Sequence, residues 1–128
     1  MKKLVCIVAG DPNSINSEII AKLWKRKNSF KNINIFIIGR YNLIDAQFKK
    51  IKVNIKIKKI NSLKNQNFKK ELLIFDVPIK FKNPFNLSEK NKYKYILKCF
   101  EVAIYFSKNK KVLGFINCPI NKSEVFKE

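Results

Sequence analysis

The chain has no histidine at all, and only three glycines, nine acidic residues and two arginines in 128 positions. Without histidine, the commonest side chain for both metal ligation and general base catalysis is gone. Cys6, Cys99 and Cys118 are widely spaced and form no CxxC pair, so neither a zinc site nor a disulfide framework is indicated. Cys6 and Cys99 lie inside apolar patterns and read as small core residues. Cys118 sits in a turn but lacks the histidine partner that a nucleophilic thiol would use. The glycines form neither a GxGxxG fingerprint nor a phosphate-binding P-loop. No apolar run approaches the ~20 residues of a membrane span. The basic start Met1-Lys2-Lys3 is followed by an apolar stretch that breaks at Gly10-Asp11-Pro12, too early for a signal peptide, so a soluble cytoplasmic protein is expected.

What the chain does have is positive charge: 28 basic against 9 acidic residues, a formal net charge of +19. Such an excess suggests a polyanion partner, and a small basic α/β nucleic-acid-binding module is the alternative function to weigh. Against it, all the basic residues but Arg26 and Arg40 are lysines, which lack the planar fork used for bidentate recognition. The lysines are also spread along the whole chain. Lys52 to Lys58 alternates Val53, Ile55 and Ile57 with charged or polar residues, as an edge or half-exposed strand would, and no aromatic interleaves to stack a base.

The chain turns on Leu4 to Trp24. An apolar run ends at Gly10-Asp11-Pro12, and a helical pattern follows through Ile15, Ile19, Ile20 and Leu23, which are expected to face a sheet. Turns of this kind, at the carboxyl end of a strand, present backbone N–H groups and a helix N-terminus to an anion. Ile33 to Ile38 reads as a second buried strand stopping at Gly39, and Asn42 or Asp45 can open a short helix through Phe48. Asn61 to Lys70 is linker-like, Leu72 to Val77 is a strand closed by Pro78, and Ile79 to Leu87 is an extended loop. Ser88 can cap a long helix from about Glu89 to Ser107, with Ile96, Cys99, Phe100, Ala103 and Phe106 inward and Tyr93, Tyr95 and Tyr105 as rim or packing residues. Val112 to Asn117 is the last strand, and Lys122 begins another helical turn. The alternation predicts an α/β fold with a mainly parallel sheet covered by helices on both faces, and no internal domain boundary within 1–128. The strand ends at Ala9 and Asn117 should then lie together on one rim of the sheet.

Two segments carry a resemblance. GDPNSINSEII resembles the GDPxGIGPEI opening of the 4-hydroxythreonine-4-phosphate dehydrogenase family, and CPINKSEVF resembles its (T/G)xPxNKxxL segment, in the same order and at a similar separation. Ser14, Asn16 and Ser17 stand where that pattern has glycines and a proline. The resemblance implies an incomplete isocitrate/isopropylmalate dehydrogenase-like fold, the N-terminal part of a homodimeric enzyme. It implies NAD-dependent oxidation of 4-phosphooxy-L-threonine, followed by decarboxylation, in the synthesis of pyridoxal phosphate. It also implies a divalent metal (zinc, magnesium or cobalt) bound by histidines that this chain does not contain, so no catalytic or metal residue is expected here. A phosphorylated small molecule is the implied partner, with no specific nucleic acid and no membrane. The residues carried over as candidates for the substrate or cofactor cleft are Gly10, Asp11, Pro12, Glu18, Pro119, Asn121 and Lys122, with Ile15 matching the motif. Lys122 is the candidate for an electrostatic contact.

Overall fold

Four of the apolar runs, each ended by a glycine, a proline or a polar turn, form neighbouring strands of one sheet in the computed structural model, which describes residues 3–118. The strands are β1 (Lys3–Val8), β2 (Ile33–Gly39), β3 (Ile57–Ile60), β4 (Leu72–Asp76) and β5 (Gly114–Asn117). Their order is β3-β4-β2-β1-β5, and every pairing is parallel. Three helices join them: α1 (Asn16–Lys25), α2 (Tyr41–Lys50) and α3 (Glu89–Lys108). Parallel strands need such crossovers, and the crossovers cover the sheet.

The strands alternate between two apolar layers. Cys6, Val8, Phe36, Ile38 and Leu73 face α3, packing on Ile96, Cys99, Ala103 and Phe106. Ile7, Ala9, Ile35, Ile37, Leu72 and Ile74 face the other way, onto Ile20, Ala21 and Trp24 of α1 and Ile44 and Phe48 of α2. With helices on both faces, burial of each large apolar side chain contributes roughly 1.5–3 kcal/mol. Cys6 and Cys99 are fully buried, as their apolar settings predict.

Several local expectations are corrected. Helix α1 does pack on β1, but by a rotated face: Asn16, Ser17, Ile20, Ala21 and Trp24 are buried, while Ile15 is 66% and Ile19 38% exposed. Asn16 sets the rotation, because its Nδ2 reaches back to donate to Ala9 O at 3.1 Å and Asp11 O at 3.3 Å. Helix α2 starts at Tyr41, ahead of Asn42, because Oδ1 of Asp76 on β4 accepts from Tyr41 N at 2.7 Å. Lys52 to Lys56 keeps its alternating exposure, but only Ile57–Ile60 pairs as a strand. That strand lies at the sheet edge, as the lysine alternation indicates. Phe100, expected inward, is only partly buried, while Tyr95 takes the packing role of the two expected for it, at 3% exposed. The final strand is shorter than expected, beginning at Gly114. The helical turn expected from Lys122 lies outside the described residues.

Candidate functional site

Strands β1 and β5 end side by side. Val8 pairs with Asn117, Cys118 N donates to Val8 O at 3.0 Å, and the turn at Gly10 therefore lies beside Cys118 at the end of β5. This is also where the sheet order reverses, since β2 lies on one side of β1 and β5 on the other. Ligands in open α/β sheets sit at such a point. The predicted shared rim is present.

Gly10 has φ +76°, and a Cβ there would stand 2.7 Å from Asn16 Nδ2 and 2.9 Å from Cys118 O. Only glycine satisfies both the backbone and the space. Asp11 Oδ1 accepts from Asn13 N at 2.8 Å, and the Ser14 hydroxyl donates to Asp11 O at 2.6 Å, so the turn is knitted by its own side chains. The other carboxylate oxygen, Oδ2, faces Lys92 Nζ at 3.5 Å. The Lys92 side chain is only 8% exposed and Asp11 18%, and a lysine that deep needs such a counter-charge. Pro12 is buried, and its carbonyl accepts from Gln47 Nε2 at 2.8 Å.

The same Gln47 nitrogen donates to Pro84 O at 2.7 Å. Asn13 grips Leu87 twice, donating to its carbonyl at 3.0 Å and accepting from its N–H at 2.8 Å. Gln47 and Asn13 thus bind the turn to the loop after β4, and neither was singled out from the sequence. A signal existed for Gln47 and Lys92: each falls on the inward stripe of its helix, three or four residues from Ile44 and Leu43 or from Ile96. A polar side chain on such a stripe needs a buried partner.

Of the other sequence candidates, Glu18 lies on the outer side of α1, 53% exposed, opposite Lys22 at 3.8 Å. Pro119, Asn121 and Lys122 lie outside the described residues. Behind the turn, Tyr95 OH accepts from Arg40 N at 2.8 Å, and burial holds its phenol well above the usual range. Burial also pushes the Cys118 thiol up to about 11 and the Cys99 thiol up to about 12, so neither is a ready nucleophile near neutral pH. Among the described residues, no group of three histidine, cysteine or carboxylate side chains could hold a metal ion, so they do not fit the divalent metal implied by the resemblance. No described helix is long and apolar enough to cross a membrane.

No family model matches the chain. A curated Fusobacterium nucleatum protein named "Putative D-threonate 4-phosphate dehydrogenase" is 24% identical over 132 residues, covering 98% of this chain and 39% of its own length. Among solved structures, a 4-hydroxythreonine-4-phosphate dehydrogenase from Burkholderia phymatum matches with a TM-score of 0.85 at 16% identity, covering 98% of this chain and 38% of that one. The enzyme of the same name from Klebsiella pneumoniae gives 0.81 at 18% identity, again over 98% of this chain and 39% of its own. The chain thus spans well under half the length of each protein it matches. Neither comparison favours the nucleic-acid module. Over that span it has the α/β, isocitrate dehydrogenase-like fold of the 4-hydroxythreonine-4-phosphate dehydrogenases, the family that its two end motifs resemble.

Proposed function

We propose that the chain is the N-terminal part of an NAD-dependent dehydrogenase that oxidises the secondary alcohol of a four-carbon acid phosphorylated at C4. The reading that follows from the motifs is 4-phosphooxy-L-threonine, with loss of carbon dioxide from the resulting β-keto acid, in pyridoxal phosphate synthesis. The observation that carries it is the position of the GDP turn beside Cys118, the end of β5, at the reversal point of a parallel sheet. A second substrate is favoured by the name of the Fusobacterium relative: D-threonate 4-phosphate has a hydroxyl where the threonine derivative has an amine. Both give a ketone β to the carboxylate when the C3 hydrogen leaves as hydride and the hydroxyl gives up its proton.

In this reading NAD supplies the hydride acceptor, and the residues of this chain shape one wall of the cleft. Gly10, Asp11 and Pro12 hold the wall, stiffened by Lys92 and Gln47. Metal ligands come from histidines outside this sequence, in a homodimeric, cytoplasmic enzyme. Assaying NADH formation from both substrates, with zinc, magnesium or cobalt added, tests the assignment. The 128-residue chain alone should give none, and a fusion to the C-terminal portion of the Fusobacterium relative should turn over one substrate in preference. Turnover by the chain alone that survives a further purification step would move the catalytic centre into it. A folded fusion inert on both substrates would overturn the dehydrogenase reading.

A further inference from the structure

The two edges of the sheet are built differently. At one edge β3 exposes Lys58 and Lys59, charges of the kind that keep an edge strand from pairing with another chain. At the other edge β5 has no charged residue, and Ile116 is 60% exposed. Cys118 N donates inward to Val8 O, so by the alternation of a strand the N–H and C=O groups of Phe115 and Asn117 point away from β1. No described strand lies on that side. The apolar surface continues from there onto α3. Phe115 meets the ring of Phe100 at 6.2 Å, and Leu97 and Ile104, about one turn to either side of Phe100, are both exposed. Leu113, just ahead of β5, is exposed as well. Four of the seven large apolar side chains exposed among the described residues thus gather at this edge.

We propose that the β5 edge, with the α3 flank beside it, is the docking surface for the C-terminal remainder of the enzyme, which adds a strand to the sheet there. The inference rests on the reading of this chain as an N-terminal part. The chain covers only 39% of the Fusobacterium relative, so most of such a protein is available to cover the face, and β5 is the last described strand. A second copy of this chain fits less well, because it would bring a formal charge of +19 against another of +19. Strand addition suits the surface: the open backbone groups supply hydrogen bonds, and the apolar side chains on either face supply selectivity. A strand beside β5 also runs past Cys118, next to the Gly10 turn. The remainder therefore brings the opposing wall of the cleft to Gly10, Asp11 and Pro12, and the site is incomplete without it.

Amide hydrogen exchange of the 128-residue chain and of its fusion to the C-terminal portion of the Fusobacterium relative tests the surface. Residues 113–117 should exchange at least about tenfold more slowly in the fusion, while residues 57–60 at the lysine-guarded edge exchange alike in both. Ile116→Lys should remove that protection from the fusion, yet leave the urea midpoint of the 128-residue chain unchanged, because the side chain is already exposed. The chain alone gives a second reading, independent of whether the fusion folds. It should bind an apolar dye, and Leu97→Lys with Ile116→Lys should remove most of that binding. Dye binding unchanged by the pair would overturn the surface, as would equal exchange at 113–117 in chain and folded fusion. Protection in the chain alone that grows with its concentration would assign the face to a second copy and overturn the proposal too. NADH formation by the same fusion separates the two readings: protection without turnover keeps the surface and sinks the dehydrogenase, and turnover without protection does the reverse.

Discussion

At the scale of single residues, the three glycines of this chain are not equivalent. Gly10 is required twice, by its φ of +76° and by the 2.9 Å that would separate a Cβ from the backbone oxygen of Cys118. Backbone at that contact cannot swing aside as a side-chain tip can, so Gly10→Ala should cost about 1–3 kcal/mol and part the Gly10 turn from Cys118. Gly114 is the internal control, since a Cβ there meets nothing within 4 Å. Gly114→Ala should stay within about 0.5 kcal/mol of the parent, or gain slightly from a less flexible unfolded chain. Urea midpoints of the two variants check this, and equal midpoints would mean that the Gly10 turn relaxes without loss. Around Gly10, the sequence shows the glycine and the aspartate plainly. It shows Gln47 only as a polar residue on an apolar stripe and not its partners, Pro12 and Pro84, which lie 35 and 37 positions away. Bonds that close over such distances have no local signature.

Elements are where scarcity of glycine leaves its mark. Helix α2 ends with Lys52 N donating to Lys49 O and Val53 N to Phe48 O, and α3 repeats the pattern with Lys110 to Ser107 and Lys111 to Phe106. This paired closure is the Schellman motif, whose penultimate residue adopts a left-handed conformation and is usually glycine. Here it is lysine both times, at φ 58° for Lys52 and 55° for Lys110. A non-glycine residue pays roughly 1–2 kcal/mol in that region. Lys52→Gly and Lys110→Gly should therefore each stabilise the chain by about 0.5–1 kcal/mol, after the entropy that glycine costs. Thermal midpoints that fall would show that the lysine side chains cover apolar surface worth more than the strain. The sequence places these ends within two residues, at Phe48 and Ser107 against Lys50 and Lys108, but hides their closure because the glycine that marks it is absent. The start of α2 is hidden for another reason, because its cap comes from Asp76 on a different strand. Ser88 before α3 was legible, since its hydroxyl accepts from Asn91 N within its own first turn, at 3.4 Å. The α1 face was misread because Ile15 and Ile19 are apolar, whereas rotation was decided by the polar Asn16.

For the whole molecule, the parallel order followed from strands that are apolar on both faces, and both layers are as full as that pattern requires. The same two layers make stability depend on alkaline pH. Burial pushes the Cys6 thiol from its ordinary 9.0 up to about 12, while a backbone hydrogen bond opposes the shift only in part. A thiol whose folded value is raised stays protonated in the native state while the unfolded chain ionises. Its contribution is therefore complete below about pH 9 and is lost as the pH climbs toward 12. The self-repulsion of a +19 chain also varies with pH, so the parent alone would mix two effects. Comparison with Cys6→Ala separates them, because both chains carry the same lysines. The alanine variant should be less stable at about pH 8, since it removes a fully buried side chain, and the deficit should shrink by on the order of 2 kcal/mol at about pH 10.5. Urea unfolding of the pair at the two pH values measures the change. A deficit that stays constant would mean that the Cys6 thiol ionises alike in both states, and that the layer between β1 and α3 admits water.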